Sequence, residues 1–266
     1  MYRSIPPVVK NLLIINVLMF LATWVFAQIR VIDLTHALGL YYFGSDMFRP
    51  FQYITHMFMH GGLWHLVFNM YALWMFGSVL EQVWGPKRFL TYFFVTGLGA
   101  AALHTFVNFL ILNGIHGDLV AFLNTPTPDL YEAFISDHIK GVNPAVYDFI
   151  HQWKDDPNNA QYISEASWQL KQAFNQLVNI PTVGASGAVF GLLLAFGMLF
   201  PNTQLMLLFP PVAIKAKWFV IGYGAIELFL GFTGVNTGIA HFAHLGGMLF
   251  GFLMIRYWNR NRMTFY

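Results

Sequence analysis

The chain has 266 residues, of which 57% are hydrophobic, 18% aromatic and only 10% charged, with a mean hydropathy of +0.54. A soluble domain carries about 25% charged residues, so this composition excludes an ordinary soluble globule and makes lipid the main solvent. The net charge of +2 is too small and dispersed to point to nucleic acid, and the absence of cysteine removes disulfide frameworks, thiolate nucleophiles and cysteine-ligated zinc.

The first ten residues, MYRSIPPVVK, set Arg3 and Lys10 ahead of an apolar run over 12–29. That run is long for a signal-peptide core and lacks a small-residue cleavage site, so it reads as a retained first span. FRPFQYITHMFMHGGLW (48–64) is aromatic, apolar and broken by paired glycines, which suits the membrane interface. Further apolar stretches occupy 65–80, 89–112, 182–200, 218–233 and 238–255. Each is near the length that crosses a bilayer at ~1.5 Å per residue. The predicted fold is therefore all-α: one membrane domain over 1–266, a polytopic bundle of six transmembrane helices. A polar insert at about 113–181 separates spans three and four and carries eight acidic residues against three lysines. Within it SEASWQLKQAFNQLV (164–178) reads as an amphipathic helix starting at Ser164. We expect an ordered surface insert; an interfacial element that guides substrate is the alternative.

Basic residues set the expected orientation. With the N-terminus inside, cytoplasmic segments hold nine of them, including Lys87, Arg88, Lys215, Lys217 and Arg256, against five outside. Both termini are therefore predicted cytoplasmic, as in a bacterial inner membrane. Spans two, four and six then all begin at the outer face.

Polar groups within hydrocarbon are costly and call for a reason. His65 and Asn69 begin span two, Ser186 begins span four and His244 begins span six. Ser186 and His244 are each roughly 6–9 Å below the outer end of their spans at the helical rise. His65 and Asn69, four residues apart, share one helix face at a similar level. These side chains suit acyl transfer. A serine hydroxyl needs a base to take its proton, and neutral imidazole fits that role near pH 7. Asn69 and His65 offer N–H donors to an oxyanion, as does the backbone of Ser186 near a helix N-terminus. Taken singly, each has a plainer reading: Ser186 bonding to its own backbone, Asn69 bridging helices, and the glycines of GASGAVFG and HLGGMLFG packing helices closely.

In this order and spacing, HGGLWHLVFNM (60–70), FGSVLEQVWGPKRF (76–89), GASGAVFG (184–191) and AHLGGMLFG (243–251) resemble the rhomboid intramembrane proteases. The resemblance covers roughly 49–104 and 182–257. The family motif H-x-x-x-N falls on His65 and Asn69, and G-x-S-G on Gly184 to Gly187. A-H-x-x-G-x-x-x-G falls on Ala243, His244, Gly247 and Gly251. The resemblance implies a Ser186–His244 dyad without a triad carboxylate, no cofactor, and single-span membrane proteins as substrates, cut near the outer face. It also implies a Trp-Arg pair, which here is Phe48-Arg49, and a tyrosine four residues after the serine, which here is Phe190.

Three other readings accompany this one. His241 competes for the role of base, but only His244 has glycines at +3 and +7. His56/His60 and His241/His244 have metal-compatible spacings, so a histidine-based metal transporter is an alternative, although no carboxylate is evident near them. A catalytically silent relative that binds membrane segments is the third. Glu81 is expected to accept hydrogen bonds from the loop that follows it, and Glu227 to make a helix-packing contact, with a role in gating as the alternative.

Overall fold

The computed structural model describes residues 4–206, 211–233 and 240–260. It is built almost wholly of helices: α1 (Pro7–Gln28), α2 (Leu34–Leu38), α3 (Gln52–Thr55), α4 (Leu63–Ala72), α5 (Ser78–Trp84), α6 (Pro86–Asn124), α7 (Pro128–His138), α8 (Ala145–Asp155), α9 (Ala160–Val178), α10 (Ser186–Leu199), α11 (Ala216–Thr233) and α12 (His241–Asn259). A 3₁₀ turn, His56–Phe58, follows α3, and a π-turn, Leu73–Gly77, joins α4 to α5. By length and composition α1, the continuous Leu63–Trp84 helix and α6 are apolar enough to cross a membrane, while the apolar α10 is shorter at 14 residues. The protein is an integral membrane protein.

Around its apolar core, the protein departs from the burial pattern of a soluble one. Leu18, Trp24, Phe68 and Phe229 are 58 to 67% exposed, whereas Asn69, Glu81, Glu227, His241 and His244 are buried. Long apolar side chains face outward because lipid solvates them, and polar groups turn inward where partners exist.

The chain divides into two compact units. The first comprises residues 1–40, 48–106 and 181–266. Its core gathers Leu73, Leu80, Phe89, Tyr92, Phe93, Ala188 and Leu192. Here α10 packs most extensively on α12, and α11 flanks both. The seam is made of small residues. A Cβ on Gly247 would lie 1.8 Å from the carbonyl oxygen of Gly187, and one on Gly187 would lie 2.4 Å from Cβ of Ala100 on α6. Such contact is open only to residues without side chains. Between α10 and α11 a short antiparallel hairpin pairs β1 (Gln204–Met206) with β2 (Ala213–Lys215), an element that the sequence reading did not include.

The second unit comprises residues 41–47 and 107–180. The third predicted span, expected to end at 112, continues as helix to Asn124. The 39 residues of α6 correspond to about 58 Å. Polar Asn113 and Asp118 look like an exit from lipid, but no proline occurs until Pro126, and Leu112, Ile115, Leu119 and Phe122 recur at helical spacing. These side chains meet Tyr131, Trp153, Ala166 and Leu170 in a separate apolar core. The amphipathic helix predicted from Ser164 begins at Ala160 instead. There the Asn159 side chain accepts from the Gln161 N–H, a cap that competes with Ser164 as the start signal.

Candidate active site

Ser186 is the first residue of α10. The sequence reading placed it four residues inside a span beginning at 182, but Pro181–Ala185 is not helical. Two features hold this lead-in. Leu40 and Thr182 exchange backbone hydrogen bonds of 2.9 and 2.8 Å, and Gly184 N–H donates to the carbonyl of His56 at 2.9 Å. Gly184 has φ +126°, where an L side chain is strained, and a Cβ there would approach Nε2 of His65 to 2.7 Å. The sequence G-A-S-G thus turns the chain sharply and delivers Ser186 at a helix N-terminus, whose free N–H groups favour negative charge.

The close α10–α12 seam brings Ser186 and His244 together, with Ser186 Oγ 2.9 Å from Nε2 of His244. His244 is 7% exposed. Its ring stacks on Phe190, with centroids 4.0 Å apart and planes 6° from parallel. Phe190 therefore holds the imidazole flat against α10. The pair is within hydrogen-bond reach, the geometry in which a serine hydroxyl hands its proton to a base.

His65 lies over Gly184, with its ring edge-on to His60 at 5.1 Å. Asn69 is buried, and its Nδ2 donates to the carbonyl of His65 at 2.9 Å. One amide proton is thus engaged within α4 and the other remains to be offered. Beside Ser186 a small hollow is lined by Ala100, Ala101, Ala188 and Ala243, with His56 and Thr182 supplying polar atoms.

Two expectations need correction. No carboxylate was expected near the histidines, yet Glu227 on α11 lies among them. Its Oε2 accepts from Nδ1 of His241 at 2.6 Å and lies 3.0 Å from Nδ1 of His244. Glu227 was therefore more than a packing contact. The signal was available only as an acidic residue in a hydrophobic helix, 17 residues before His244 in sequence and on another element. Glu81 also binds differently than expected. It accepts the backbone N–H groups of Val8 and Val9 on α1, at 3.0 and 2.8 Å, not those of the following loop.

The other histidines are arranged less suggestively. His56 donates Nδ1–H to the Gln52 carbonyl at 2.8 Å, and burial lowers its pKa to about 4. His60 is lowered to about 4 by burial first and by the His65 charge second. Both are neutral near pH 7, and among the described residues neither joins a cluster of three ligand-type groups. Among the described residues Glu227, His241 and His244 form such a cluster, their ligand atoms all within 4.8 Å. The last outer loop read at 231–238 falls largely outside the described residues.

Comparison with known proteins gives concordant matches. A family model described as the rhomboid domain matches residues 47–125 and 162–260. The mitochondrial presenilin-associated rhomboid-like protein of Bos taurus is 23% identical over 209 residues, 75% of this chain. The chain spans 36% of the length of that relative.

Proposed function

The chain belongs to the rhomboid family, and we propose that it is an intramembrane serine endopeptidase using Ser186 as nucleophile and His244 as general base. The 2.9 Å contact between Ser186 Oγ and His244 Nε2 carries the proposal. As Ser186 Oγ bonds to the scissile carbonyl carbon, its proton passes to His244 Nε2. Collapse of the tetrahedral intermediate breaks the peptide C–N bond, and the same proton leaves with the amine. Water, its proton taken by His244, then bonds to the acyl carbon, the acyl–Oγ bond breaks, and His244 returns the proton to Ser186 Oγ. The oxyanion is assigned to the Ser186 backbone N–H, the free proton of the Asn69 amide and His65.

The substrates are single-span membrane proteins within the lipid bilayer. A helical peptide bond is shielded, so the substrate must unwind locally, and the alanine-lined hollow beside Ser186 favours a small residue at the cut. The proposed architecture is six spans: α1, the Leu63–Trp84 helix, α6, α10, α11 and α12. The charge bias supports both termini on the cytoplasmic side of a bacterial inner membrane, with cutting near the outer face. Substrate would enter as α11 or the loop after it moves aside.

Cleavage of a labelled single-span substrate by purified protein tests this. Ser186→Ala and His244→Ala are expected to abolish cutting, and Asn69→Ala to lower turnover less. Blockage by a serine-directed fluorophosphonate is expected, with no effect of chelators. Full activity of Ser186→Ala would end the proposal, and chelator-sensitive activity would favour a metal enzyme.

A further inference from the structure

Glu227 is a carboxylate in a predicted span, 3% exposed, on a helix whose other faces are apolar. Such a group is retained against a large desolvation cost. Among the described residues it meets two imidazoles on α12 through one oxygen: His241 Nδ1 at 2.6 Å and His244 Nδ1 at 3.0 Å. These spacings are those of shared protons. Ligands on a tetrahedral zinc, at 2.0–2.1 Å from the metal, would lie roughly 3.3 Å apart.

His244 Nδ1 has no aligned hydrogen bond, although the carboxylate oxygen is near it. Hydrogen bonds of catalytic groups are often misaligned before substrate binds and tighten afterwards. The chemistry of Ser186 depends on where the His244 proton sits. Nε2 accepts the serine proton only if the ring proton is on Nδ1. A carboxylate at Nδ1 favours that tautomer and stabilises the imidazolium formed in the reaction. Among the described residues, the other groups facing the base are not anionic. Ser186 and Phe190 come from α10, and His65 on α4 and His104 on α6 lie within electrostatic range of His244. Tyr223 on α11 lies within that of Glu227.

We propose that Glu227 is a positioning residue for the reaction: it fixes the Nδ1–H tautomer of His244 and stabilises its charged form, while His241 holds the carboxylate in place. This rests on the protease reading. Because Glu227 is carried by α11, the base is fully oriented only while α11 is packed against α12.

The test is steady-state cleavage of the labelled substrate by wild type, Ser186→Ala, Glu227→Gln, Glu227→Asp and His241→Asn, across about pH 5 to 9. Glu227→Gln is expected to lower kcat about 100-fold with KM held. The acidic limb of its kcat profile is expected to move to lower pH, because the imidazolium has lost its anionic neighbour. If Glu227 only fastened α11 to α12, Glu227→Gln and His241→Asn would lower the thermal midpoint alike and leave that limb in place; this result overturns the proposal. Should Glu227→Gln not fold, Glu227→Asp decides. Withdrawal of the carboxylate by one methylene is expected to lower kcat about tenfold, and an unchanged kcat overturns the proposal. An inactive Ser186→Ala beside an unimpaired Glu227→Gln removes this inference alone, whereas an active Ser186→Ala removes the protease reading with it.

Discussion

On α5, the Glu81 carboxylate accepts two backbone N–H groups from the first turn of α1, at Val8 and Val9. The first N–H groups of a helix have no partner within it, and Glu81, 3% exposed, supplies both from a different segment of chain. It thus caps α1 and ties it to α5. Glu81→Ala is expected to destabilise the fold by about 2 kcal/mol, read as a lower thermal midpoint in detergent, with Glu81→Gln losing less because one acceptor oxygen survives. Fluorophosphonate labelling of Ser186 below the transition is expected to be unchanged. Glu227 is as deeply buried as Glu81 but meets imidazoles rather than backbone. The same residue type therefore fastens a helix in one place and, in the role proposed for Glu227, sets the charge around His244 in the other.

Between elements, the contact that decides the site is the α10–α12 seam. Gly247 lies one turn after His244 and faces the carbonyl of Gly187, the residue after Ser186. Gly247→Ala would put a methyl carbon 1.8 Å from that oxygen, so the two helices must separate. A displacement of about 1 Å costs about 100-fold in rate, and a loss of that size is expected in kcat and in the rate of Ser186 labelling. Gly114→Ala, where an added methyl would meet nothing within 4 Å beyond its own stretch of helix, is expected to alter neither. The seam was legible from sequence because glycines at fixed offsets from Ser186 and His244 carry both the packing and the motif. The bounds of the elements were less so. Hydropathy falls at Asn113, yet α6 runs on because its apolar residues pass from one core to a second. Nor could sequence spacing assign Glu227, since its partners sit on α12 and are reached only through tertiary packing.

Across the whole molecule, two solvents act on one chain. The first unit exposes many apolar side chains around a core that also holds buried polar groups, while the second buries Tyr131, Trp153 and Phe122 in a core of its own. Trp153 is the centre of that second core. It is fully buried, its Nε1 donates to the Pro157 carbonyl at 3.1 Å, and its ring lies 6.1 Å from Tyr131 and 6.3 Å from Phe122. Removing so large a side chain from a packed interior costs about 3–5 kcal/mol. Each unit closes its own core, and Ser186, His244, His65, Asn69 and Glu227 all belong to the first. Trp153→Ala is therefore expected to speed protease nicking within 107–180 while Ser186 labelling proceeds at its original rate. Loss of Ser186 labelling along with the faster nicking would mean that the two cores unfold as one cooperative body. In that case the acidic insert would be part of the stability of the membrane unit, and deleting it would abolish the site along with it.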